Sequence, residues 1–140
     1  MPVVYYIDDD PTDRDIFVEI MDLLRQPVQT FSAATHLFDV MNNPPAEQSV
    51  IFLDINMPVI NGLDTLEFLR NSVAWSNVPI IMLSTSSAHH FIFESHLKGA
   101  NYYIVKPSSY DKFKEALRHA LTIDWSKRKT TSDNFVYQPK

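Results

Sequence analysis

The stretch "VVYYIDDDPTD", residues 3–13, decides the fold: a continuous apolar and aromatic run ends on three adjacent carboxylates and then on Asp-Pro. A run that is apolar at every position, not at alternate ones, is the mark of a strand covered on both faces, as in a parallel sheet enclosed by helices. Asp10 before Pro11 reads as an N-cap with proline at the first helical position, so the strand passes almost directly into a helix. Crowded carboxylates repel, and burial adds to the cost. Three acids at the end of a buried strand therefore call for a cation or a proton among them.

The same alternation continues down the chain. Residues 50–53, 78–83 and 102–105 are further continuous apolar runs, and 27–31 (PVQTF) is a weaker one. Between them lie stripes of helical spacing: Ile16, Ile20, Leu23 and Leu24; Leu63, Leu66 and Leu69; Phe113, Leu117, Ala120 and Leu121. Asn61-Gly62 and Lys98-Gly99 read as turns, and residues 42–49 (NNPPAEQS) as a surface loop. The order is β-α repeated five times. It predicts an α/β fold, a doubly wound five-stranded parallel sheet with right-handed crossovers and helices on both faces.

Composition excludes several function classes. The chain has 140 residues, 45% of them hydrophobic, which suits one ordinary domain with a buried core. A net charge of −5 argues against nucleic-acid or anionic-membrane binding, so partners are expected to be proteins or small ions. With no cysteine, a disulfide framework, a thiolate zinc site and cysteine catalysis are ruled out. The start MPVVYYIDDD lacks the features of a signal peptide, and no run is long enough to cross a bilayer, so a cytoplasmic location is expected. Residues 1–125 read as the domain and 126–140 as a polar C-terminal tail, too short to form an output domain. His89, His90 and His96, with Glu94, read as an exposed helix face, and Lys127-Arg128-Lys129 as solvation of a frayed helix end. Asp10 and Asp13 read as a cap and a first-turn charge, without a chemical role.

Parallel α/β sheets place their ligand sites outside the carboxyl ends of the strands. Asp8, Asp9 and Asp10 lie at such an end, as do Asp54 after VIFL, Ser84 and Thr85 after IIML, and Lys106-Pro107 after YYIV. One crevice thus collects carboxylates, hydroxyls and an ammonium. A hard cation such as Mg2+ takes oxygen ligands and keeps several waters, so two or three carboxylates and a carbonyl would suffice for it.

At these residues the chain resembles the receiver domain of two-component response regulators, over roughly residues 1 to 124. The resemblance implies a flavodoxin-like (βα)5 fold. It also implies that Asp54 is the phosphoacceptor and that Asp9, Asp54 and the main-chain carbonyl of Asn56 hold Mg2+, with Asp8 helping through water. Lys106 would bridge Asp54 or its phosphoryl oxygen, aimed by a cis Lys106–Pro107 peptide. Ser84 would be the hydroxyl that follows the phosphoryl group, and Tyr103 the aromatic that then turns inward. Partners implied are a histidine kinase or phosphotransfer protein and a downstream protein target, with a homodimer left open.

Two function classes follow. The leading one is a single-domain, phosphoacceptor response regulator, not an enzyme beyond self-phosphorylation and autodephosphorylation. The alternative is a Mg2+-dependent phosphohydrolase with an aspartyl nucleophile, against which Asn56 stands where a second acid would be needed. An output surface is expected on the stretch HHFIFESHLKGANYY, residues 89–103. Helical spacing there sets Ile92 inward with Ser95 and His96, and Phe91 and Phe93 outward beside Tyr103.

Overall fold

A computed structural model describes residues 3–46 and 48–139. The elements run β1 (Val4–Ile7), α1 (Pro11–Leu23), β2 (Val28–Phe31), α2 (Ala34–Val40), β3 (Val50–Asp54), α3 (Gly62–Asn71), β4 (Ile80–Ser84), α4 (His89–Leu97), β5 (Tyr102–Val105) and α5 (Tyr110–Thr122). The strands form one parallel sheet in the order β2-β1-β3-β4-β5, so the winding reverses between β1 and β3. That reversal opens the crevice in which such folds bind ligands.

The unbroken apolar runs are explained by two separate cores. Tyr5 and Ile7 of β1 join Ile51, Leu53, Leu66, Leu69 and Trp75 on one face of the sheet. Val4 and Tyr6 point the other way, to Phe17, Ile20, Phe52, Phe113 and Leu117. Successive side chains of a strand face opposite ways, and here both faces are covered.

Local details differ from expectation in four places. In α1 the buried face is Phe17, Ile20 and Met21, while Leu23 is 56% exposed. Leu23 lies roughly a third of a turn from that stripe, so its apolar character misled. Asn61-Gly62 is no turn: Asn61 caps α3, its Oδ1 accepting from Asp64 N at 2.9 Å, and Gly62 is the first helical residue. The Lys106–Pro107 peptide is trans, and no cis peptide occurs among the described residues. The lysine is directed instead by its main chain, Lys106 N donating to Ser84 O at 2.7 Å.

The fourth difference is the C-terminal segment. Far from being uniformly polar, it lays Phe135, only 2% exposed, into the core cluster that holds Tyr103. Tyr103 N donates to Phe135 O and Tyr137 N to Tyr103 O, each at 2.9 Å, a parallel bridge between Tyr103 and Val136 on the free edge of β5. The apolar triplet Phe135-Val136-Tyr137 was masked by its polar flanks. Arg128, read as solvating a frayed end, lies over the rings of Tyr102 and Trp125, 4.7 and 5.3 Å from their centroids, and donates to Asn134 O.

Candidate functional site

Register brings the acids together. β1 and β3 pair with Ile7 opposite Leu53, so the next residues, Asp8 and Asp54, emerge side by side at the carboxyl end of the sheet. One carboxylate oxygen from each of Asp8, Asp9 and Asp54 lies within 4.8 Å of the others. Asp8 is 1% and Asp54 7% exposed, whereas Asp9 faces solvent. Asp10 stays with the helix, its Oδ1 capping Thr12 N at 2.8 Å.

Lys106 arrives from the end of β5. Its Nζ is 2.9 Å from Asp8 Oδ2, 3.2 Å from Asp13 Oδ2 and 3.9 Å from Asp54 Oδ1. Its nearest partner is thus Asp8, not Asp54. Asp13, read as a plain first-turn charge, is part of this ion cluster. Burial works against the Lys106 ammonium, but the hydrogen bond to Asp8 and the charges of Asp54, Asp8 and Asp13 outweigh it and raise its pKa.

The two buried acids are pushed apart. Burial acts to raise Asp8, but the Tyr6 hydroxyl at 2.5 Å, the Asp10 N–H at 3.0 Å and Lys106 prevail and hold it below the usual carboxylate value. Asp54 is pushed up to about 7, chiefly by burial, with the charges of Asp8 and Asp9 adding to the shift and Lys106 opposing it. Tyr6 sits in the middle of β1 among apolar neighbours, which disguised it as core. Burial and then Asp8 push its own pKa upward, so at neutral pH it is a hydrogen-bond donor to Asp8.

The loop after β3 is folded around one carbonyl. Ile55 O accepts from Met57 N at 3.1 Å and from Gly62 N at 2.8 Å, which draws the start of α3 against the end of β3 and leaves Asn56 exposed at the rim. Gly62 lies so close that a Cβ there would be 2.2 Å from Asp54 O. A glycine read as a turn element is therefore a spacer beneath Asp54.

Ser84 ends β4, fully buried, and Ser86 links it to Tyr103. The Ser86 N–H donates to Ser84 Oγ at 3.0 Å, while Ser86 O accepts from the Tyr103 hydroxyl at 2.8 Å. Tyr103 is already buried. On α4, Phe93 is 62% exposed as expected, but Phe91 packs against the core cluster beside His90, its ring centroid 4.1 Å from that of the imidazole. His96, which helical spacing set inward with Ile92 and Ser95, is half-buried and stacks on Phe135, 4.8 Å between centroids, so it does not share the exposed face of His89 and His90. The pattern of residues 89–97 could not reveal that its partner is Phe135, which lies far along the chain.

Carboxylates of unequal basicity beside an ammonium, open to solvent at Asp9, are a donor set that fits a hard cation. Burial is the chief reason that ionisation of Asp54 is unfavourable and the charges of Asp8 and Asp9 add to it, so a cation among the three would favour the carboxylate.

The family described as "Response regulator receiver domain" matches residues 4–118. Chemotaxis protein CheY1 of Helicobacter pylori is 36% identical over 76 residues, which are 54% of this chain and 61% of that protein. The chain therefore spans less than two thirds of that relative, and 21% and 18% of longer plant regulators that it also matches. Among solved structures, chemotaxis protein CheY4 of Vibrio cholerae is 24% identical, with a TM-score of 0.74 over 85% of this chain and 98% of that one. The Mn2+-bound form of response regulator Rcp1 is 15% identical, with a TM-score of 0.73 over 93% of this chain and 99% of that one. At such identities the two structures establish the fold.

Proposed function

The chain belongs to the response regulator receiver domain family, and from that premise we propose that Asp54 accepts a phosphoryl group from a phosphohistidine on a histidine kinase or phosphotransfer protein. The observation that carries this reading is the cluster of Asp8, Asp9 and Asp54 with Lys106 at 2.9 Å from Asp8 and 3.9 Å from Asp54. An attacking carboxylate needs its own charge and that of the incoming oxygens neutralised. Mg2+, held by Asp9, Asp54 and the Asn56 carbonyl and by Asp8 through water, would supply most of that neutralisation. Lys106, steadied by Asp8 and Asp13, would supply the rest.

Tyr6 donates to Asp8 Oδ2 and Arg14 Nη1 to Asp8 O, so the first acid is fixed before any ligand arrives. Ser84, at the adjoining strand end, would donate its hydroxyl to new phosphoryl oxygens. Its Oγ at present accepts from Ser86 N, and Ser86 O holds the Tyr103 hydroxyl, so movement of Ser84 is transmitted to Tyr103. A downstream protein then reads the surface around α4 and β5, where Phe93 is exposed. The phosphohydrolase alternative has nothing in its favour: Asn56, two residues after Asp54, is an amide that does not ionise and so cannot serve as a general acid or base.

The test is labelling with acetyl phosphate in Mg2+, with the modified residue mapped. Label at Asp54 that persists on the chain is the expected result, whereas continuous hydrolysis of phosphomonoesters would overturn the reading. Asp9→Ala is expected to weaken Mg2+ binding by about tenfold or more. Metal-free stability should hold or rise, because the Asp9 charge helps to raise Asp54. Equal Mg2+ affinity in a fluorescence or calorimetric titration would exclude Asp9 as a ligand. Lys106→Met retains the stem but leaves Asp8 without its cation, and a cost of about 3 kcal/mol is expected in the metal-free protein. Phosphotransfer should slow by about tenfold or more. Unchanged urea midpoint and labelling rate would make Lys106 a bystander.

A further inference from the structure

The edge of β5 is occupied by the chain's own C-terminal segment. Phe135 enters the core cluster against Tyr103 and His96, and Tyr137 packs beside Tyr102 and His119 on the other side of the strand, 6.3 and 5.5 Å between ring centroids. Between them, Val136 pairs with Tyr103 through two main-chain hydrogen bonds. The arrangement is that of an added strand. Backbone bonds give affinity, and alternate side chains fill pockets on the two faces of the sheet.

Two features make this an attachment and not a sixth strand. The pairing is one bridge long, whereas β4 pairs with β5 throughout the latter's length. The residues leading to it, Thr131, Ser132 and Asp133, are exposed and polar. The position is also not neutral with respect to the acidic site: Tyr103, which receives the strap on its main chain, holds Ser86 with its hydroxyl, and Ser86 holds Ser84.

We propose that residues 134–137 are a releasable strap on the β5 edge, and that this edge is a docking groove for an extended partner segment with aromatic residues at two alternate positions, aligned parallel to β5. The strap is the internal copy of that ligand. It shields an otherwise open sheet edge, which would pair indiscriminately if left bare. A partner segment must outcompete a tethered one whose effective concentration is in the millimolar range, so docking is weak until the strap is loosened. The reading stands apart from phosphorylation of Asp54, because the contacts are those of the unmodified chain.

The test uses the full chain and a peptide of its residues 130–140 as probe. Truncating Phe135 would open a cavity in the core, so the informative variant is Tyr137→Pro, which removes the N–H donated to Tyr103 O and loosens the strap without altering the Phe135 side chain. The peptide is expected to bind this variant about tenfold or more tighter than the unaltered chain. It should restore protection of the Tyr103 amide in hydrogen exchange. In the unaltered chain, the Tyr103 and Tyr137 amides should exchange about a hundredfold faster than that of Leu83, which lies in the sheet interior. Peptide affinity that is equal for both chains, or Tyr103 protection as strong as that of Leu83, would show a permanent part of the core and overturn the strap. A chain that light scattering shows to be dimeric, losing Tyr103 protection on dilution, would overturn the cis arrangement in favour of a second copy.

Discussion

Asp54→Asn is expected to abolish phosphorylation completely while raising the stability of the metal-free protein at alkaline pH. The first effect follows from losing the nucleophilic oxygen at nearly constant size. The second follows from the charge balance of the site. Burial raises the Asp54 pKa from 3.8 to about 7, with Asp8 and Asp9 adding to the shift and Lys106 opposing it. A carboxyl group whose folded pKa lies above its unfolded one favours folding only while protonated. Its contribution is complete below 3.8 and is lost as the pH rises through about 7. Asparagine does not ionise, so the variant should exceed the wild type at pH 8 by on the order of 2 kcal/mol and match it near pH 4. Urea unfolding across that range, without metal, measures the difference. Added Mg2+ should narrow it, since the cation stabilises the carboxylate but not the amide. A variant that still takes up label, or whose advantage is the same at both pH values, would contradict the assignment of Asp54.

Gly62→Ala is expected to destabilise the fold by about 3 kcal/mol and to slow phosphorylation by about tenfold or more. Helix propensity alone predicts the opposite sign, a gain of about 1 kcal/mol, because alanine is the better helix former. Tertiary contact decides the matter. The added Cβ would lie 2.2 Å from Asp54 O, 2.7 Å from Ile55 Cα and 2.8 Å from Asp54 C, all backbone atoms with no side chain to swing aside. Either α3 moves away from the end of β3 and gives up the bond from Gly62 N to Ile55 O, or Asp54 is displaced from Asp8 and Asp9. Thermal unfolding and the labelling rate together check it. A variant as stable and as quickly labelled as the wild type would mean that the loop of residues 55–61 absorbs the methyl group.

Much of the acidic site could be read from the sequence because each member stands at the end of an apolar run. Asp8, Asp9, Asp54, Ser84 and Lys106 all emerge at the carboxyl end of the sheet, where a parallel topology requires them to be. What could not be read were residues whose neighbours lie on other elements. Tyr6 passed for core, although its hydroxyl reaches Asp8. Asp13 passed for a helix-dipole charge, although its nearest cation comes from β5. Ser86 had no signal beyond a hydroxyl in a row of four, and Phe91 was placed outward by a helical projection that carries no information on the elements packed around α4.

The sequence by itself determined the strand and helix order, the parallel sheet and the sheet end at which the chemistry gathers. These depend on hydrophobic period and on the one-way winding of β-α units, both local properties. Only the tertiary structure decided that Lys106 lies nearer to Asp8 than to Asp54, that Gly62 supports Asp54, and that Phe135 closes the β5 edge. Each is a distance between elements remote in the chain, set by strand register and by close packing. A one-dimensional pattern carries no term for either.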